Sequence, residues 1–256
     1  MAPDRPAALV TGSASGIGRA AALRLARAGY DVAINYSRSE AAARQTLAEL
    51  DRLGGRHLAL RADVSDDAAV AAVTAEAGET FGRLDALVNN AGLTSQTPPD
   101  DLDGVDLAEW DRVFAVNVRG LFQVTRACAP LLRAAGGSVV NVASIVGLRP
   151  GPQPLAYAAS KAAVVSLTRT LSRVRRATWT PMQRNVTEED VAETIFSLVS
   201  PALLTSTSSR PYASPTAATR PATAASSLTS PRTAITRPPS ADSEAIVCRA
   251  LSSERR

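Results

Sequence analysis

The chain has 256 residues, 45% of them hydrophobic and 20% charged, with a formal net charge of +4; that is enough for one large domain with a substantial core. No apolar run reaches the eighteen or so residues of a membrane span, and two distant cysteines (Cys128, Cys248) with a single histidine (His57) offer neither a disulfide framework nor a metal set. Residues 1–170 hold 17 basic and 17 acidic residues while 171–256 hold 11 and 7, so the basic surplus belongs to the C-terminal third and gives no reason to expect a nucleic-acid-binding core.

Residues 1–6 carry no apolar signal region, which leaves the cytoplasm as the expected compartment. Residues 7–11 read as a short buried strand. Gly12-Ser13-Ala14-Ser15-Gly16-Ile17-Gly18 follows at once, then a helical pattern to about Ala28 with Gly29 as its stop. Strand, glycine turn and helix together point to a nucleotide site. The glycines let the backbone approach a pyrophosphate, and the helix N-terminus suits its charge. Asp31–Tyr36 is the next strand. At its end a carboxylate would favour NAD, but Asn35-Tyr36-Ser37-Arg38 stands there instead. An arginine can pair with a 2′-phosphate, so NADP(H) is the preferred cofactor and NAD(H) the alternative.

A helix pattern over 39–53 and a strand at 57–60 come next. Asp63-Val64 precedes Ser65, which reads as the N-cap of a helix to about Thr80. A fourth strand, 85–88, runs into Asn89-Asn90-Ala91-Gly92. Strands alternating with helices of this length predict an α/β fold with a doubly wound parallel sheet. A long helix is expected over 107–133, open to interruption near Gly120. The buried-looking Asn117 within it either bonds a nearby carbonyl or marks a kinked, functional turn. A fifth strand over 137–144 ends in Ser144, where the carboxyl ends of strands place ligands.

Tyr157 and Lys161 lie one helical turn apart on the next helix, and Lys161 is the only lysine of the chain. An ammonium beside a phenol favours the phenolate, so the spacing predicts a tyrosine of lowered pKa able to exchange protons near neutrality.

These residues together resemble the short-chain dehydrogenase/reductase family, and within it the 3-oxoacyl-carrier-protein-reductase-like members. The matching positions are Thr11, Gly12, Gly16, Gly18, Asp63, Asn89-Asn90-Ala91-Gly92, Asn117, Ser144, Tyr157 and Lys161, in the family's order over residues 7 to about 172. The resemblance implies a nicotinamide cofactor held by Gly12, Ser15, Gly16, Ile17, Gly18, Asn35, Ser37, Arg38, Asp63, Val64, Asn89, Ala91 and Gly92, with Tyr157 and Lys161 at its reactive end. It implies that Tyr157 exchanges a proton with the oxygen of a small carbonyl or alcohol substrate, that Ser144 orients that oxygen, that Lys161 lowers the tyrosine pKa and holds ribose hydroxyls, and that Asn117 holds a relay water. It also implies a homodimer through helices 107–133 and 154–172, and neither a nucleic-acid nor a membrane partner.

After Leu171 the pattern departs from that family. A sixth parallel strand, a Pro-Gly turn and a substrate-covering segment are expected there, yet Arg173–Pro181 supplies neither an apolar strand nor Pro-Gly. The likeness resumes with Thr187 as a helix N-cap, 26 positions after Lys161, which is too short for the missing parts and suggests an internal deletion. The catalytic domain is thus expected over 1–200, incomplete after about 172. Residues 201–256 read as a disordered Ser/Thr/Ala/Pro/Arg tail: no glycine follows Gly151, and such a composition cannot offset its ordering entropy. Out-of-frame translation of a GC-rich gene would give this composition; resequencing that finds an unbroken frame, with no nearby frame encoding a Gly-rich strand, would reject it. The alternative to an active enzyme is therefore a catalytically impaired nucleotide-binding remnant.

Overall fold

The computed structural model describes residues 5–149, 151–174, 188–199 and 247–250. Five parallel strands form the sheet: β1 (Ala7–Val10), β2 (Asp31–Tyr36), β3 (His57–Arg61), β4 (Ala86–Asn89) and β5 (Ser138–Val142). A sixth, β6 (Val247–Ala250), completes the order β3-β2-β1-β4-β5-β6. Strand order reverses between β1 and β4, which opens a crevice at their carboxyl ends. The helices are α1 (Gly16–Arg27), α2 (Glu40–Asp51), α3 (Asp67–Phe81), α4 (Leu107–Phe114), α5 (Leu121–Ala135), α6 (Leu155–Val174) and α7 (Glu188–Val199). Among the described residues no helix is long and apolar enough to cross a membrane.

Strands β1, β4 and β5 are buried at every residue, as expected of strands covered on both faces. Alternation sends Ala8, Val10, Val32, Ile34, Val88 and Val140 into a core beneath α1 and α7. It sends Leu9, Ala33, Leu87 and Val139 into the core beneath α3 and α5. A third cluster, with Leu121, Ala143, Ile145, Val146, Val164 and Val165, packs against Tyr157.

Two local expectations change and a third takes definite form. Ser65 does not cap α3: its N–H and hydroxyl both bond the Asp63 carboxylate, and Asp66 accepts from Ala68 N and Ala69 N instead. A carboxylate one residue closer to the first turn meets the free amides and the helix dipole better than a hydroxyl already engaged. The long helix is interrupted where the sequence left it open to interruption: Ala115–Gly120 form a π turn, containing Asn117, between α4 and α5. Last, β6 lies inside the stretch read as a tail and pairs antiparallel with β5, Val142 opposite Val247 and Val139 opposite Ala250. An open sheet edge offers unpaired backbone groups to an extended segment, and Ile246-Val247 is a β-branched pair in the tail. The remainder of 201–246, the segment 175–187 with its missing strand and Pro-Gly turn, and Thr187 itself lie outside the described residues.

Candidate active site

The glycine turn and the Asn-Asn-Ala-Gly loop are one unit. Thr11 Oγ1 accepts from Asn90 N at 2.9 Å and Ala91 N at 3.0 Å. Asn90 Nδ2 donates back to the carbonyls of Thr11 (3.0 Å) and Gly12 (2.9 Å). A Cβ on Gly12, whose φ is +61°, would lie 2.7 Å from Ala91 Cα, and one on Gly18 would lie 2.5 Å from Asn90 Nδ2. Both positions therefore need glycine for close approach, and Gly12 for the turn as well. Ser15 is exposed at the N-cap of α1, and no acidic residue occupies the first turn of that helix. Amides at such a terminus suit an anionic group. Ile17 packs instead against the core below α1.

A crevice of about 160 Å³ opens beside this turn, lined by Gly12, Asn35, Ser37, Arg38, Ala62, Asp63, Val64, Ala91, Gly92, Leu93, Arg112 and Val116. Asp63 sits well below the usual carboxylate range, held there chiefly by its two bonds from Ser65 and further by the charges of Arg38 and Arg112. Asn35 borders the crevice, but its amide is engaged: Nδ2 donates to Leu60 O at 3.3 Å and Ala62 O at 3.0 Å, while Oδ1 receives Gly12 N at 3.4 Å. It shapes the wall and has no amide hydrogen left for a ligand. Asn89 also differs from expectation. Its Nδ2 donates to Thr125 Oγ1 (2.9 Å) and Asn141 Oδ1 (2.8 Å), in the buried layer beneath α5 and α6.

At the other end of the crevice the structure brings Asn117, Ser144, Tyr157 and Lys161 together. Ser144 follows β5 and caps a short turn, Ile145–Gly147. Tyr157 and Lys161 share the sheet-facing side of α6, with Lys161 Nζ 5.7 Å from the Tyr157 ring centroid. Lys161 is buried and donates to Val142 O at 2.9 Å. A Cβ on Gly92 would sit 3.3 Å from Asn117 Oδ1 and 3.6 Å from Lys161 Nζ, so the three positions converge. Asn117, in the π turn, accepts from Leu93 N at 2.7 Å and donates to Leu93 O and Ser160 Oγ, each at 2.9 Å.

The electrostatics reverse one expectation. Burial pushes the Tyr157 phenol up from its ordinary value, and a hydrogen bond with Ser144 offsets part of that. No contribution from the ammonium adds to that offset, and burial disfavours the charged lysine as well, bringing its pKa down to about 8. Tyr157 is therefore a protonated phenol at neutral pH, poised to donate.

Sequence reading missed Thr11 and Asn90 as the stitches of the turn and Arg112 as a second guanidinium in the crevice. Thr11 had a local signal, standing one residue before the first glycine, whereas Arg112 reaches the crevice from α4 and only tertiary structure reveals it.

Comparison with known proteins places these features. A Streptomyces violaceoruber protein of the granaticin polyketide synthase, assigned as ketoacyl reductase 2, is 39% identical over 230 residues, covering 77% of this chain and 91% of its own. The 3-oxoacyl-[acyl-carrier-protein] reductase FabG of Staphylococcus aureus is 40% identical over 167 residues, 65% of this chain and 67% of its own. Among solved structures, a Burkholderia cenocepacia short chain dehydrogenase in complex with NADP is 33% identical, with a TM-score of 0.69 over 77% of this chain and 91% of that one. An NAD+-bound xylitol dehydrogenase is 31% identical, with a TM-score of 0.62 over 66% of this chain and 64% of that one. The family model described as short chain dehydrogenase matches residues 6–178, and the chain accordingly belongs to the short-chain dehydrogenase/reductase family of nicotinamide-dependent oxidoreductases, beside the ketoacyl and 3-oxoacyl reductases.

Proposed function

We propose that this chain interconverts a carbonyl group and a secondary alcohol with NADP(H), using Tyr157 as general acid and base. The observation that carries this reading is the placement of a protonated Tyr157, hydrogen-bonded with Ser144, over the crevice end where Lys161 lies 5.7 Å from its ring. The bound cofactor supplies or removes the hydride. Tyr157 Oη donates its proton to the carbonyl oxygen on reduction and takes it back on oxidation. Ser144 holds that oxygen in reach. Lys161 offers its remaining hydrogens to ribose hydroxyls, since only one goes to Val142. Both amide hydrogens of Asn117 are spent, so a relay water meets the remaining lone pair of its Oδ1 rather than its N–H groups.

The residues present fit the cofactor. Gly12, Ser15, Gly16, Ile17 and Gly18 would present backbone to the pyrophosphate; Asp63, Val64, Ala91 and Gly92 would border the adenosine. Ser37 and Arg38, with Arg112 facing the same crevice, would receive a 2′-phosphate. Fluorescence titration with NADPH and NADH tests this. Tighter binding of NADPH is expected, with Arg38→Ala narrowing the preference by about ten- to a hundredfold, the loss of one charge-assisted pair. Equal affinity for both cofactors in the parent chain would refute the 2′-phosphate reading.

Tyr157→Phe is expected to lower turnover by about 10²- to 10⁴-fold while leaving NADPH affinity within twofold; 3-oxoacyl thioesters are the first substrates to try, on the names of the relatives. Unchanged turnover would remove Tyr157 from the mechanism. The second reading, an impaired remnant, draws on the 13 residues that separate α6 from α7, where the family places a strand and a lid. Binding of NADPH with no turnover of any carbonyl would favour it. A homodimer is proposed through the open groove of about 710 Å³ lined by Phe114, Val118, Phe122 and Leu167; sedimentation at micromolar concentration would show it.

A further inference from the structure

A buried row of four side chains crosses the sheet below the catalytic group. Thr125 of α5, Asn89 of β4, Asn141 of β5 and Thr168 of α6 are all buried. Asn89 Nδ2 donates to Thr125 Oγ1 at 2.9 Å and to Asn141 Oδ1 at 2.8 Å. Asn141 Nδ2 donates to Thr168 Oγ1 at 2.9 Å. The two threonines pass their own hydrogens back to helix carbonyls, Thr125 to Leu121 O (2.8 Å) and Thr168 to Val164 O (2.7 Å). Donation therefore runs outward from Asn89 in both directions and ends at the two helix carbonyls. Its Oδ1 is left buried without a partner. An orphaned acceptor costs about 1–3 kcal/mol, so the row is not the cheapest way to fill this layer.

The row closes a circuit. Asn117, eight positions before Thr125, donates to Ser160 on α6. Thr168 is seven positions after Lys161, two helical turns along the same face. At about 1.5 Å per residue, the two attachments between the α5 and α6 sides lie roughly 10–12 Å apart. One attachment alone, Asn117 to Ser160, is a pivot. Two fix the angle and the axial setting of α6 against β5, and so the place of the Lys161 ammonium at Val142 O.

We infer that Asn141, Thr168 and Thr125 are positioning residues for the catalytic group: the buried row holds α6 in the setting that places Lys161 beneath Tyr157. The inference rests on the proposed oxidoreductase reading for its kinetic consequence, but not for its structural one. None of the three touches the cofactor crevice or the Tyr157–Ser144 pair, so their effect passes through α6.

The test uses the single lysine. Incorporation of [ε-13C]lysine gives one side-chain resonance from the whole chain, whose pH titration reads Lys161 directly, without turnover. In the full chain this titration is expected near 8. Thr168→Val, nearly isosteric but without a hydroxyl, is expected to move the midpoint by at least half a unit and to lower kcat about tenfold with KM for NADPH within twofold. Thr168→Ser is expected to restore both. Thr125→Val, at the other end of the row, should act in the same direction and keeps the inference testable if Thr168→Val does not fold. A Thr168→Val protein that folds and keeps both the parent titration and the parent kcat would overturn the inference. A shifted titration in a chain that is inactive throughout would uphold the positioning role and count against the oxidoreductase reading alone.

Discussion

Lys161 illustrates how one side chain can work against the stability of the fold that holds it. It is fully enclosed, and its pKa falls to about 8 from 10.5. Between those values the unfolded chain binds more protons than the folded one, so stability rises with pH across that window; below about 8 the full penalty applies. At 1.36 kcal/mol per unit the penalty is on the order of 3 kcal/mol. Lys161→Met is therefore expected to raise the melting temperature of the cofactor-free protein at pH 7 and to lose most of that advantage by pH 10.5. Equal gains at both pH values would show that burial of the charge is not the cause. Gly147 is the converse case, a residue with no chemistry on which the site depends. A Cβ there would lie 2.6 Å from Lys161 C, against helix backbone that cannot yield cheaply, so Gly147→Ala is expected to destabilise the fold and displace α6. The sequence shows Tyr157, Lys161 and Ser144 plainly, because their spacing and strand-end positions are local. It does not show Gly147, Arg112 or the Asn89–Asn141 pair, whose meaning arises only when distant segments meet.

The five strands and the doubly wound parallel class were legible because strand and helix patterns alternate along the first 150 residues. What escaped was the exact mode of local closure. Ser65 and Asp66 are both good caps, and only the engagement of Ser65 with Asp63 decides between them. An interruption near Gly120 was legible, but its form as a π turn over Ala115–Gly120 was not. At the amino ends of the strands, buried Asp31 receives Arg56 N and Nε at 2.9 Å and pairs with Arg5 Nε at 3.0 Å, tying β1, β2 and β3. Asp31→Asn is expected to cost about 1.5–3 kcal/mol, the range for hydrogen bonds to a charged group, as a shift in the urea midpoint at constant slope. Beside it His57 Nδ1 accepts from Val32 N at 3.2 Å, and burial lowers its pKa. The unfolded chain then takes up the proton first, so this contribution to stability is lost as pH falls through about 6.5. His57→Phe should flatten the stability profile between pH 5 and 7; an unchanged slope would assign the acid sensitivity elsewhere.

The molecule as a whole depends on α7 to finish its core. Val191, Ala192, Ile195 and Val199 are buried with the α1 residues over one face of the sheet, and Arg24 lies 3.7 Å over the Phe196 ring. Sequence composition marks 201–256 as a departure from the family, but α7 stands before that stretch and packs with α1 beside β5. All other positive side chains are arginine or the single histidine, and this has a practical result. Apart from the chain's own α-amine, an amine-acylating reagent meets one target, Lys161, and the folded protein conceals it. Adduct at that position accumulates only while α6 is lifted from β5. Mass spectrometry of the acylated chain over time therefore serves as a one-site clock for the opening of the cleft, and a bound ligand that holds α6 down should slow it.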